Sequence, residues 1–245
     1  MSEENHVRLK FDLNSNKHRE RHSSLRAGTR LAHTFIMTIF SEKFDGYVLA
    51  GGKSQRMKTN KAFLKIGGET FLTRAVKSLS FTCKNRVKIV LNKVRTNCIE
   101  IFPDKIPHIF DVYENRGALG GIHTALSDCQ NEWAIVLAVD LPHVTSEVIE
   151  NLSRIAFKSK DFAAVVPIQT DGRPQPLCAA YCVKNCLPSL ENLLEQTTCA
   201  SVRDFLKLVP TRFVGQDELA ANAGEDLFFN VNRPSDFQTL VSPNQ

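Results

Sequence analysis

No apolar stretch in the 245-residue chain reaches the roughly 18 residues that a membrane-spanning helix requires, so no such span is expected. The opening residues, Met1 to Asn5, are polar and acidic, unlike the basic-then-apolar pattern of a secretory leader. Cysteine is scarce, with seven residues, an odd number at irregular spacings. Without a leader, that usage predicts reduced thiols in a cytoplasmic protein. Cys178, Cys182 and Cys186 recur every four residues, but neither a C-x2-C pair nor paired histidines accompany them. Buried structural thiols are therefore expected rather than a zinc site. A G-x-S-x-G segment is missing too, which removes the usual hydrolase serine. There is no internal repeat and no internal linker after residue 43, which leaves one domain.

What is present is an unevenly basic chain. The formal net charge is +5, and residues 1 to 36 supply +3 of it, from seven Lys/Arg against four Asp/Glu. Four of the seven histidines lie in the same stretch. It has few apolar residues and no sustained periodicity, so residues 1–43 are expected to be a disordered N-terminal extension and residues 44–245 the folded domain. A nucleic-acid-binding arm would need aromatic residues among its cations, and the stretch lacks that interleaving. Met37 offers an alternative start.

From Phe44 onward, short apolar runs alternate with helical patterns. Strands are expected at 46–50, 86–91, 108–112, 133–139, 162–167 and 177–183. Helices are expected at 70–80, 119–129, 146–157, 188–195, 201–208 and 235–241, with Thr145 and Ser201 as N-caps. Such alternation implies an α/β fold, a mostly parallel sheet covered by helices on both faces. Ligands of such sheets bind beyond the carboxyl ends of the strands. That rim gathers the loop after Leu49, Asn92, Asp111 and Asp140.

The segment Leu49-Ala-Gly-Gly-Lys-Ser-Gln-Arg-Met-Lys-Thr-Asn-Lys61 follows one of these strands. Gly51 and Gly52 allow a sharp turn that brings N–H groups close to an anion, and Lys53, Arg56, Lys58 and Lys61 add positive charge. Gly52-Lys53-Ser54 imitates the end of a P-loop, but the first glycine of that pattern falls on Tyr47. The dinucleotide pattern G-x-G-x-x-G fails as well. The segment is therefore read as a polyphosphate site of another kind. Asp140 ends the apolar run Trp133 to Val139 and suits Mg²⁺, which takes one or two carboxylates plus phosphate oxygens. Arg56 and Lys61 would offset the charge that develops on transferring and departing phosphates.

Taken as a whole, Leu49 to Lys61 resembles the signature L-A-G-G-x-S-x-R-M-x-x-x-K of the MobA-like nucleotidyltransferases, the molybdenum cofactor guanylyltransferases. Gly117-Ala-Leu-Gly-Gly-Ile122 is similar to the family's G-P-L-G-G-[IM], and Val139-Asp-Leu-Pro142 to its C-D-M-P. Gln175-Pro-Leu177 and Asn230-Val-Asn-Arg-Pro-Ser-Asp-Phe237 complete the ordered set. Lys58, Ala118 and Val139 depart from the pattern, replacing glycine, proline and cysteine.

The resemblance implies a single Rossmann-like three-layer domain of the nucleotide-diphospho-sugar transferase type. It implies transfer of GMP from GTP to molybdopterin-bound molybdenum cofactor, with Mg²⁺ as cofactor and pyrophosphate as product. Leu49, Ala50, Gly51, Gly52 and Lys61 would hold the nucleotide, joined by Asn92, Asp111 and Asp140. Gly120 and Gly121, leading into a helix near Ile122, would either approach the nucleotide or pack helix on sheet. Gln175, Asn230 and Asn232 would face the acceptor or assist the metal. Molybdoenzyme clients or other cofactor-biosynthesis proteins are the implied partners. The alternatives are a CTP-using or sugar-phosphate nucleotidyltransferase of the same fold, a non-catalytic GTP-binding cofactor-delivery protein and, last, a nucleic-acid binder.

Overall fold

The structure is a computed structural model that describes residues 42–51, 60–92, 106–220 and 224–241. Residues 1–41 of the expected extension lie outside the described residues, as do Gly52, Lys53, Arg56 and Lys58. The described residues all belong to one compact unit, Glu42–Gln245.

The frame is a seven-stranded sheet. Its strands are β1 (Phe44–Leu49), β4 (Val87–Leu91), β5 (His108–Phe110), β6 (Trp133–Ala138), β7 (Ala164–Pro167), β8 (Cys178–Cys182) and β9 (Thr211–Val214). They lie in the order β5-β4-β1-β6-β8-β7-β9. Parallel pairing joins β1 to β4 and β6, β4 to β5, and β7 to β9. Only β8 runs against its neighbours β6 and β7. The reason is local: the β7–β8 connection closes on itself through an Ile168–Pro174 bridge and contains no crossover helix, which a parallel return would need. A separate two-residue hairpin pairs β2 (Lys65–Ile66) with β3 (Glu69–Thr70). Its turn residues Gly67 and Gly68 have φ of +57° and +82°, the backbone a type I′ turn demands.

The expected strands all form, with altered bounds. β1 begins at Phe44, two residues before the expected start, because the charge of Asp45 is fully engaged. Its carboxylate accepts from Asn131 Nδ2 (2.7 Å) and Gln130 N (2.9 Å), and Arg86 lies at 3.1 Å. A buried carboxylate with that many partners is tolerated in a strand. β6 is buried along its whole length, as a central parallel strand should be.

Helices cover both faces. α1 (Phe71–Cys83) and α3 (Ser146–Lys158) pack together on one side. On the other lie α2 (Gly117–Asp128), α4 (Val183–Gln196) and α5 (Val202–Leu208), sharing a core with Tyr47, Val136 and Tyr181. Two short helices lie near the end of the described residues, α6 (Gln216–Leu219) and α7 (Pro234–Val241). Thr145 caps α3 and Ser201 caps α5 with a full capping box, as the sequence suggests. α4 starts five residues before the expected Pro188, which sits inside the helix. Its buried stripe of Cys186, Leu190 and Leu194 extends back past the proline, so packing outweighs the preference of proline for the first turn.

This chain order places the reversal of winding direction between β1 and β6. The chain moves outward from β1 through β4 to β5 and then returns to β6 on the other side. Such a switch point opens a crevice at the carboxyl ends of the two strands. Leu49 and Ala138 are paired there, and Val139 N donates to Leu49 O at 3.1 Å.

Candidate active site

A cavity of about 470 Å³ occupies that crevice, within the range of small-molecule sites. Four strand ends supply its floor: Ala50 and Gly51 after β1, Asn92 after β4, Asp111 after β5, and Asp140 after β6. One wall is the first turn of α2, with Gly117 and Ala118. The opposite wall comes from Asn60, Lys61 and Asn232.

Close backbone approach shapes the floor. A Cβ added to Gly51 would lie 2.9 Å from Asn92 N, so the loops after β1 and β4 touch through main chain. Only glycine fits. Gly120 is in a similar position, since a Cβ there would meet Tyr113 O at 2.9 Å.

Lys61 is the charged hub. Asn60 caps the short helical turn Lys61–Phe63 by accepting from Ala62 N, which sets the direction in which Lys61 leaves the chain. The Lys61 ammonium then donates to Asp140 Oδ2 and to Asn232 Oδ1, both at 2.9 Å. The Lys61 and Asp140 side chains are only 13% and 18% exposed, so water screens the pair weakly. Val231 N donates to Asp140 O at 3.1 Å and ties the chain around Asn232 to the end of β6.

Two carboxylate oxygens remain open. Asp140 Oδ1 and Asp111 Oδ1 are buried and have no hydrogen-bond partner among the described residues. Burial pushes the Asp111 carboxyl up to about 6. Buried polar atoms are rarely left without partners, so both oxygens fit a ligand that supplies donors or a cation. Among the described residues no group of three or more His, Cys, Asp or Glu could enclose a metal. Asp140 Oδ1, buried and unpartnered at the cavity, is the kind of carboxylate oxygen that Mg²⁺ takes when phosphates and water supply its other ligands.

Of the residues singled out in the sequence, Leu49, Ala50, Gly51, Lys61, Asn92, Asp111, Asp140 and Asn232 line this one cavity. Gln175 and Asn230 are absent from its described lining. Gln175 is buried beside the end of β7, its N–H bonded to Pro167 O. Gly120 and Gly121 do not lead into a helix beginning near Ile122: α2 begins at Gly117, and both glycines are inside it. Gly120 N donates to Arg116 O at 3.4 Å, so the free amides of the first turn belong to the residues before it. Gly121 still lines the cavity while packing on Leu49. Asn60 and Asn115 escaped the sequence reading. Asn115 holds a φ of +60°, which asparagine tolerates better than most residues, and only that turn chemistry hinted at it.

Cys178 and Cys186 are buried and Cys182 is half-buried; burial pushes the Cys178 thiol up to about 12. Cys186 Sγ donates to Ala163 O, in keeping with a structural thiol. His143 is a neighbour of Phe229 rather than of the cavity, with ring centres 6.4 Å apart. Among the described residues no helix is long and apolar enough to cross a membrane.

A strand-end site of this kind, with its lysine and carboxylate, can be compared with known proteins. The model of the MobA-like NTP transferase domain matches residues 46–213, more than half of the chain. The chain belongs to this family. The MobA-like domain therefore makes it a nucleotidyltransferase of the α/β type. A probable molybdenum cofactor guanylyltransferase of Geobacillus sp. (strain WCH70) is 30% identical over 201 residues, 82% of this chain and 99% of that protein. One from Pelotomaculum thermopropionicum is 33% identical over 192 residues, 78% of this chain and 88% of its own length. Among solved structures, the molybdopterin-guanine dinucleotide biosynthesis protein A of Archaeoglobus fulgidus has the same fold. Its TM-score is 0.68 at 23% identity, over 80% of this chain and 96% of that one. The 2-C-methyl-D-erythritol 4-phosphate cytidylyltransferase of Thermus thermophilus shares the fold more distantly, with a TM-score of 0.55 at 15% identity over 80% of this chain and 95% of that one.

Proposed function

We propose that this MobA-like chain is a Mg²⁺-dependent guanylyltransferase that joins GMP to the molybdenum cofactor. The observation that carries the reading is the Lys61–Asp140–Asn232 cluster at the switch point of the sheet. An oxygen of the terminal phosphate of molybdopterin forms a bond to the α-phosphorus of GTP, and the bond from that phosphorus to the β-phosphate oxygen breaks. Pyrophosphate leaves with the electron pair. The attacking phosphate is already ionised near neutral pH, so no general base is required.

The chain's own residues position and neutralise. Ala50 and Gly51 let the nucleotide approach the main chain, and Lys61 places a positive charge where the phosphates accumulate negative charge. Asp140 Oδ1 would hold Mg²⁺, which when bound offsets charge on the phosphate oxygens. Asp111 would accept N–H donors of the base through its open oxygen. The low-30% relatives bearing the guanylyltransferase name support GTP and molybdenum cofactor as substrates.

The test is pyrophosphate release from the full chain with Mg²⁺ and molybdenum cofactor, offering GTP, CTP, ATP and UTP separately. Acceptor-dependent release with GTP alone is expected. Release with CTP alone would overturn the guanine assignment. Tight GTP binding without release from any nucleotide would replace the enzyme with a cofactor-delivery protein.

A further inference from the structure

We infer that Asp236 is a positioning residue for the transfer reaction, acting through Asn232 to aim the Lys61 ammonium into the cavity; this rests on the nucleotidyltransferase reading of the site. Lys61 and Asn232 are 171 positions apart, and the bond between them crosses from the loop before β2 to the end of the chain. An ammonium has three N–H donors. Asp140 and Asn232 take two of them from different directions, which fixes the third. The aim of Lys61 therefore depends on where the Asn232 amide oxygen is held.

Asp236 does the holding. Its Oδ2 accepts from Asn232 N and from Arg233 N, both at 2.8 Å. Asp236 is the third residue of α7, after Pro234 and Ser235, and Arg233 precedes the helix. A side chain at that position that reaches back to the amides before the helix is half of a capping box, and Pro234 at the first position fits the same start. The two donated amides keep the Asp236 carboxyl below the usual carboxylate range, so the clasp is charge-assisted. Val231 N on Asp140 O holds the segment from its other end. The start of α7 is thus built onto the residues that handle phosphate.

The clasp can be read without catalysis. Acylation requires the reagent to reach the Lys61 nitrogen, and two oxygens at 2.9 Å crowd that approach. Full-length wild type, Asp236→Ala, Asp236→Asn and Asn232→Ala would be trace-acetylated, with each lysine quantified by peptide mass spectrometry. Labelling of Lys61 is expected to rise about threefold or more in Asp236→Ala and Asn232→Ala, the scale of one loosened hydrogen bond. In Asp236→Asn, which keeps a carbonyl oxygen for the two amides, it should stay near wild type. Lys65 and Lys77 serve as internal controls for general unfolding. Unchanged Lys61 labelling in Asp236→Ala, or an equal rise at all three lysines, would overturn the proposal.

Activity gives the second arm. Asp236→Ala should lower kcat/KM for pyrophosphate release about tenfold alone and add almost nothing in a Lys61→Ala background. Additive losses would mark a merely structural role and overturn the positioning assignment. A wild type that releases no pyrophosphate would sink the proposed function, while the labelling would still decide the clasp.

Discussion

Gly51 touches the main chain of Asn92: an added Cβ at Gly51 would lie 2.9 Å from Asn92 N. Two of the strand ends that floor the cavity are thus in register only because one residue has no side chain. Backbone cannot swing away as a flexible side chain can. Gly51→Ala should therefore separate the two loops, destabilising the chain by about 1–3 kcal/mol as overpacking does. GTP affinity should weaken by about tenfold or more, since remote displacements of about 1 Å are costly in such sites. Urea unfolding and calorimetric titration with GTP would check both; unchanged affinity would remove the loop contact from the nucleotide site.

The Lys61–Asp140 pair separates chemistry from stability. Removing the carboxylate leaves a largely buried ammonium with Asn232 as its remaining partner among the described residues. Asp140→Ala should cost about 1–3 kcal/mol of stability, on the scale of a buried group losing a charged partner. It should lower kcat by about a hundredfold or more, because the lost group acts on charge in the transition state. Circular dichroism and pyrophosphate release on the same sample make the measurement. Near-normal turnover would refute the role of Asp140.

Much of this site could be read before the fold, for a physical reason. Asp140 follows the continuous apolar run of β6 and Ala50 and Gly51 follow β1, and a sheet of that type puts ligands at the strand ends. What stayed hidden depends on distant contacts. Asn60 acts by capping a three-residue turn, and Asn115 by a turn with φ of +60°. Asn232 is expected from the sequence to face the acceptor or assist the metal; its bond to Lys61, across 171 positions, could not be read from spacing. Strand β9 was missed because it is a four-residue edge strand whose pattern includes the charged Arg212, paired with Glu218. The bounds of α2 and α4 slipped because glycine and proline mark helix ends only when packing agrees.

Asp111 should make nucleotide binding depend on pH. Burial raises its carboxyl from 3.8 to about 6, so the folded chain holds this proton more tightly than the unfolded chain does. The stability it contributes is complete below the unfolded value and is lost as pH rises through about 6. Asp111→Asn should therefore gain on wild type by about 1–3 kcal/mol between pH 4 and pH 7.5. The binding effect has the opposite sense, because only the ionised form accepts with both oxygens. KM for GTP should rise as pH falls through about 6 in wild type, and the variant should lack that step. A pH-independent KM in wild type would exclude Asp111 from contact with the base.

Ala118 offers a substitution that should do no harm. It lies in the first turn of α2, where a backbone N–H has no partner within the helix, and the residue before it is Gly117 with φ of +56°. Proline is accepted in a first turn, and a preceding glycine has no Cβ to clash with the proline ring. Ala118→Pro should stabilise the chain by about 0.4–1 kcal/mol by restricting the unfolded state. It also removes one N–H from the cavity wall, so the activity reports whether the nucleotide uses that amide. Retained kcat/KM with a raised melting temperature is expected, because Gly117 and Leu119 keep amides in the same turn. A fall in GTP affinity of about tenfold, with the melting temperature still raised, would assign the Ala118 N–H to the ligand.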